Sequence, residues 1–196
     1  MPDTGAPWNI PYVAGTDLVS DWPTDSQTLA EAIADGLDTA NLGLGSNVVQ
    51  TVKTDTFSTT STSYTPLTGL SVSITPTSAS SKVMVFVNVG LSVRSTAGNV
   101  KMVLKRDSTQ IAVPDSPGSR QAAFTAPQFD YSGGGDSILQ FAFHYLDSPS
   151  TTSSTTYSVD IQTSASTIYV NRGLTDTDNA SFARTVSTIT AIEVAA

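Results

Sequence analysis

The chain has 196 residues, a net charge of −8, no cysteine and only 13% charged positions. Nine scattered Lys and Arg residues exclude the basic stripe that nucleic acid requires. The lack of thiols excludes a disulfide framework and a thiolate metal site. The length suits one sizeable domain plus an appendage. Ser and Thr fill 56 positions and alternate with Val, Ile and Tyr, so hydroxyls on strands supply the solubility that charges do not. Fifteen of the seventeen acidic residues are Asp, the residue of turns and caps, which points to many short loops. No apolar run approaches the roughly 20 residues of a membrane-spanning helix, and no basic and apolar leader pattern opens the chain.

Residues 1–47 differ from the rest. "MPDTGAPWNIPYVAGTDLVSDWP" holds both tryptophans and four prolines and has no period, so it reads as an extended arm. Within it, Pro7, Trp8, Asn9, Ile10, Pro11 and Tyr12 form a stiff aromatic peptide, suited to docking in a preformed groove or to folding back on its own domain. "TDSQTLAEAIADGLDTA" predicts one amphipathic helix over 25–39, with Leu29, Ile33 and Leu37 on one stripe. Such a helix is too short to stand alone, so it must dock on another surface or on copies of itself. "ANLGLGSN" follows as a hinge.

From Val48 to Ala196 the period is two. Strands are predicted at 48–53, 70–75, 82–93, 100–106, 138–146, 156–163, 167–170 and 185–194, with Gly, Pro, Asp and Ser between them. Eight strands without a second helix indicate an all-β sandwich, jelly roll or barrel. In 83–93, Val83, Val85, Val87, Val89, Leu91 and Val93 line one face, while Met84 and Phe86 begin the other. A strand apolar on both faces is expected to be buried on both, either beneath a long loop or where subunits pack around an axis.

Catalytic chemistry finds little footing. His144 is the sole histidine and lies in a strand beside Gln140, the pattern of a surface or interface residue. There is no G-x-S-x-G, and zinc would need three or four ligands with one histidine to draw on. No metal or cofactor is expected. A polysaccharide depolymerase needs only two carboxylates, but the rung repeat of a long β-helix is missing. The stretch 114–136 is the longest without strand period and carries Arg120, Phe124, Phe129, Asp130 and Tyr131. Aromatic rings beside carboxylates suit a sugar, and equally suit covering the sandwich edge or locking into a neighbouring subunit. "LTDTDNAS" (174–181) lacks the Gly and Glu of a calcium loop, since Ser181 and Ser187 stand at those positions counted from Asp176. It reads as a polar turn whose Asp and Asn side chains cap backbone amides.

The opening "PWNIPYVAGTDLVSDWPTDSQTLAEAIADGL" resembles the N-terminal segment of many bacteriophage tail-fibre and tail-appendage proteins. "TSTSYTPLTGLSVSITPTSASSKVMVFVNVGLSV", "FHYLDSPSTTSSTTYSVDIQT" and "TIYVNRGLTDTDNASFARTVSTITAIEV" resemble a module of phage virion structural proteins, so the resemblance covers most of the chain apart from 106–137. It implies a mainly β, jelly-roll β-sandwich (C1q/TNF-like), preceded by the arm and one short α-helix and assembled as a homotrimer. Leu29, Ile33, Leu37, Met84 and Phe86 would then lie at the trimer interface. Pro7 to Tyr12 would anchor the arm to other tail or baseplate proteins. The loop carrying Arg120 and Tyr131 would face a host surface polysaccharide. The expected role is structural and adhesive in the virion, assembled in the host cytoplasm, without catalysis or membrane insertion. The alternative is a decoration, neck or baseplate protein that never touches the host.

Overall fold

Alternation of apolar and polar residues breaks at every Gly, Pro and Asp cluster, and the strands follow those breaks. The computed structural model describes residues 26–33, 47–93, 98–115, 118–129 and 137–195. The chain divides into two compact units, Met1–Leu44 and Gly45–Ala196. In the first, residues 26–33 form helix α1, where Gln27 Nε2 donates to Glu31 Oε1 at 2.8 Å, one turn along. The arm peptide Pro7–Tyr12, the hinge and the remainder of the expected helix lie outside the described residues.

The second unit is built from β1 (Val48–Lys53), β2 (Phe57–Thr59), β3 (Thr65–Ile74), β4 (Lys82–Val93), β5 (Gly98–Arg106), β6 (Thr109–Ile111), β7 (Gln128–Phe129), β8 (Leu139–Asp147), β9 (Thr155–Thr163), β10 (Ile168–Val170) and β11 (Ser187–Val194). Sheet I runs β1-β11-β4-β10-β2, with β8 on the other side of β4. Sheet II runs β3-β9-β5-β6, with β7 also on β5. Every pairing is antiparallel, and the long-range pairs nest: β5 with β6, β4 with β8, β3 with β9, β1 with β11. An eight-strand ribbon that pairs in this nested order and divides between two sheets is a jelly roll. The expected β-sandwich is therefore the observed one.

The short strands β2, β6 and β7 were not expected, because two or three residues cannot display an alternating stripe. β3 starts at Thr65, ahead of the expected Leu70. Its pairing with β9 shifts between Pro66 and Ser71, and Gly69 within the shift has φ +82°, which breaks the period of two. Pro66 is tolerated because β3 lies at the end of its sheet.

The core lies between the sheets. From β4 it receives Val83, Val85, Val87, Val89, Leu91 and Val93, all 5% exposed or less. Facing them are Leu70, Val72 and Ile74 of β3, Val100, Met102 and Leu104 of β5, and Tyr157, Val159 and Ile161 of β9. Burial of each such side chain contributes about 1.5–3 kcal/mol, which makes β4 the largest contributor among the strands.

Buried polar groups fix the ends. Asn171, fully buried and with φ +63°, donates from Nδ2 to the carbonyls of Lys53 (2.9 Å) and Asp55 (3.0 Å). Its Oδ1 accepts from Ser187 Oγ at 2.7 Å, and its own N–H reaches the Gly90 carbonyl at 3.0 Å. One residue, through its side-chain amide and its backbone N–H, thus ties β1, β4 and β11 together. At the opposite end of β11, Glu193 accepts from the Thr77 N–H and hydroxyl (both 2.7 Å) and from Asn47 Nδ2 (3.0 Å). Burial pushes the Glu193 carboxyl up, but hydrogen bonds from Thr77, Asn47 and Ser81 outweigh it and hold the group at about 2.

Two outcomes follow from this packing. A Cβ on Gly90 would sit 2.4 Å from Thr185 Oγ1 and 2.9 Å from Gln140 Nε2. Gly90→Ala should therefore destabilise the sandwich by about 1–3 kcal/mol in urea unfolding, and an unchanged midpoint would contradict this geometry. Glu193 has its pKa depressed on folding, so its stabilisation is complete above its ordinary value of 4.5 and is lost as pH falls towards about 2. Wild type should lose stability across that window more steeply than Glu193→Gln, as read from urea midpoints at each pH.

Candidate functional site

In an antiparallel sheet, residues directly opposite point to the same face, so register alone reveals which side chains share the outside of sheet I. Three rows of four result. The first is Val48–Ile192–Met84–Leu146, the second Gln50–Thr190–Phe86–His144 and the third Val52–Thr188–Asn88–Ala142. None of the twelve is charged. Val48 is 50% exposed, Val52 47%, Phe86 44% and Leu146 40%, so the apolar members lie bare. The nearest charge in this register is Lys82, one row below the first and opposite Val194.

The inward side of β4 is buried as foreseen, and Phe86 on the outward side is open in the single chain, because no described loop covers the lower half of the sheet. Only the upper half is covered. There Gly90 leaves room for Thr185, Gln140 and Ile138 to close over the backbone.

Sheet II is the contrast. Segment 118–125 crosses it, with Thr125 bridging Met102, Gln162 donating to Gln121, and the Tyr64 hydroxyl donating to the Ala122 carbonyl. Beneath it Val103, Asp160 and Gln162 are 1–2% exposed. Among the described residues, the outer face of sheet II is closed by its own chain and the lower half of that of sheet I is open.

A shallow cleft of about 280 Å³ interrupts the open face, lined by Phe86, Asn88, Ala142, His144 and Thr188 among others. The His144 ring lies 6.0 Å from that of Phe86, tilted by 37°. Asn88 Oδ1 is closed off from solvent and has no hydrogen-bond partner among the described residues. Beside it Gln50 Nε2 donates to Thr190 Oγ1 at 2.7 Å, which links two of the polar members of the second row.

The excursion between β10 and β11 holds "LTDTDNAS". Asn179 behaves as expected, its Oδ1 accepting from the Ser181 N–H at 2.9 Å. Asp176 does not cap the backbone. It takes Arg184 Nε and Nη2 at 2.9 and 2.7 Å, with Arg172 Nη1 at 4.0 Å, and Arg172 in turn stands 4.1 Å from the centre of the Tyr169 ring. A carboxylate facing a planar guanidinium fork forms two charge-assisted bonds, which outcompete a single amide. The hydrogen bond from Arg184 holds the Asp176 carboxyl below its ordinary range. A polar cleft of about 380 Å³ lies over this pair and is also lined by Asp178, Asn179 and Phe182. Among the described residues, no group of three or more His, Asp or Glu is placed to hold a metal.

The candidate residues of the sequence separate accordingly. Met84 and Phe86 stand side by side with His144 on the open face. On α1, Leu29 is half-buried and Ile33 is 43% exposed, while Leu37 lies outside the described residues. Of the loop set, Arg120 is exposed, and Phe124 packs with its ring centre 4.7 Å from that of Phe143 and 6.3 Å from that of Tyr145. That ring closes the side of the sandwich. Phe129 contributes backbone to β7 opposite Gly98, whereas Asp130 and Tyr131 lie outside the described residues. The sequence reading missed Val48, Val52, Ala142, Leu146, Thr188, Thr190 and Ile192 as members of one surface. Each strand shows its uncharged outward residues, but only the pairing sets them side by side.

No protein-family model matches the chain, and no curated protein matches it. Among solved structures it is similar to that of infectious bursal disease virus Gx strain, at 12% identity and a TM-score of 0.40 over 76% of this chain. It is similar also to the VP2 subviral particle of infectious bursal disease virus, at 12% identity and 0.37 over 74%, and to the T=1 particles derived from that virus, at 13% and 0.37 over 76%. The chain spans 36% of the length of each of these three proteins.

Proposed function

We propose that the chain is a structural subunit of a virion appendage, working by binding rather than catalysis, and that its copies associate through the outer face of sheet I. The observation that carries the reading is the grid of twelve uncharged residues on that face. Copies that each carry −8 repel one another wherever acidic surfaces meet, so a contact between them is favoured where charge is missing. An open apolar patch on an otherwise hydroxyl-rich surface marks an interaction site. The sequence resemblance to phage tail-fibre proteins supports the virion setting, three copies around an axis, and attachment through the arm.

Host attachment is the finer part of the proposal and rests on the same resemblance. The packing of Phe124 against Phe143 and Tyr145 favours the purely structural alternative, since that ring is committed to the fold. Absence of catalysis is likewise proposed. It is supported by the setting of His144, whose neighbours in the grid are Phe86, Ala142 and Leu146 rather than a carboxylate that could orient the imidazole.

Sedimentation tests the central claim. The wild-type chain should run as an oligomer, with three copies expected. Phe86→Asp combined with Leu146→Asp should weaken association on the order of 100-fold or more, because each copy would have to desolvate two carboxylates. Both positions are exposed, so far-UV circular dichroism should be unchanged. A wild-type chain that is monomeric at micromolar concentration would falsify the proposal.

A further inference from the structure

The sole histidine of the chain stands within a grid of twelve residues that otherwise carries no titratable group. His144 lies in the second row of the grid, on the outermost strand of sheet I, with its side chain exposed. From β8 it is flanked by Gln140, Ala142 and Leu146, from β4 by Phe86 with Met84 and Asn88, and from β11 beyond β4 by Thr190. Charged groups are distant or turned away. Lys82 is two rows off, about 13 Å at the rise of an antiparallel strand, which exceeds the screening length at physiological salt. Asp147 points inward, where Arg106 and Tyr157 hold it. The Asp176–Arg184 pair belongs to the excursion that covers Gly90, itself two rows from His144.

We propose that His144 makes association through this face acid-sensitive: copies close on a neutral imidazole and part when the ring takes up a proton. This rests on the reading of the face as the contact between copies. Histidine is the side chain that ordinarily changes charge in mildly acidic solution. In the separate subunit an imidazolium is hydrated on its open side, with its ring centre 6.0 Å from that of Phe86, so the charge is tolerated. On closure the hydration is removed, and no carboxylate in the grid replaces it. Each copy must then release a proton to associate. A neutral imidazole carries no such cost, and its N–H can remain bonded to a neighbour's acceptor.

The sign follows directly. Association is strongest where the imidazole is neutral and weakens as pH falls, at most about tenfold per pH unit for each copy. The Asp and Glu residues elsewhere are common to all variants, so comparison with a histidine-free chain isolates this effect.

The experiment is sedimentation velocity on the full chain between about pH 7.5 and about pH 5.5, the range in which histidine ordinarily titrates. Three proteins are compared: wild type, His144→Gln and His144→Lys, each checked for native circular dichroism at every pH. Wild type should dissociate progressively towards the acid end, His144→Gln should remain assembled throughout, and His144→Lys should be dissociated already at neutral pH. Equal pH profiles for wild type and His144→Gln would overturn the acid-sensitive role while leaving the shared face intact. So would a His144→Lys chain that assembles as tightly as wild type. A wild type monomeric at every pH overturns the shared face and, with it, this role.

Discussion

β4 is the strand on which the second unit depends. It is hydrogen-bonded along both edges, to β8 on one and to β11 and β10 on the other. It also supplies six alternating side chains to the space between the sheets. A chain with 13% charged residues and no disulfide has little besides apolar burial to hold it together, and β4 concentrates that burial in one element. The nested pairing then leaves few choices. Once β4 is central, β8 and β11 take its two sides, β1 follows β11, and β3, β5, β6 and β9 fall to the second sheet.

The two sheets treat their outer surfaces differently, for a physical reason visible in the side chains. On sheet II the outer side of β5 and β9 carries Lys105, Asp160 and Gln162, groups that need partners once covered. The segment 118–125 brings a glutamine to Gln162, while Lys105 pairs with Asp160. On sheet I the outward residues are mostly apolar or hydroxylated; Gln50 bonds to Thr190, and Asn88 Oδ1 has no partner among the described residues.

Much of the fold was legible in the sequence. β1 and β4 fall at the expected boundaries, and β8, β9, β10 and β11 lie within one or two residues of them, because each shows an uninterrupted period of two. β3 was only half legible, since Gly69 and Pro66 break the pattern at a bulge. The functional surface was less legible. Met84 and Phe86 stood out because they make β4 apolar on its second face, but Val48, Val52 and Leu146 come from strands far apart in sequence. The role of Asn171 was hidden too, because a left-handed asparagine that bonds to β1, β4 and β11 reads in sequence as one more turn residue. For "LTDTDNAS", the partner that decides its chemistry is Arg184, which lies beyond the motif.

The clamp at Glu193 has a mechanical side. It joins the first described residue of the sandwich, Asn47, to the last strand, just where β1 begins its six paired positions with β11. A pull on the chain at Asn47, directed away from the sandwich along β1, loads those pairs together in shear instead of peeling them one at a time. Tension applied at Asn47 thus meets β1 in the geometry that a short strand resists best.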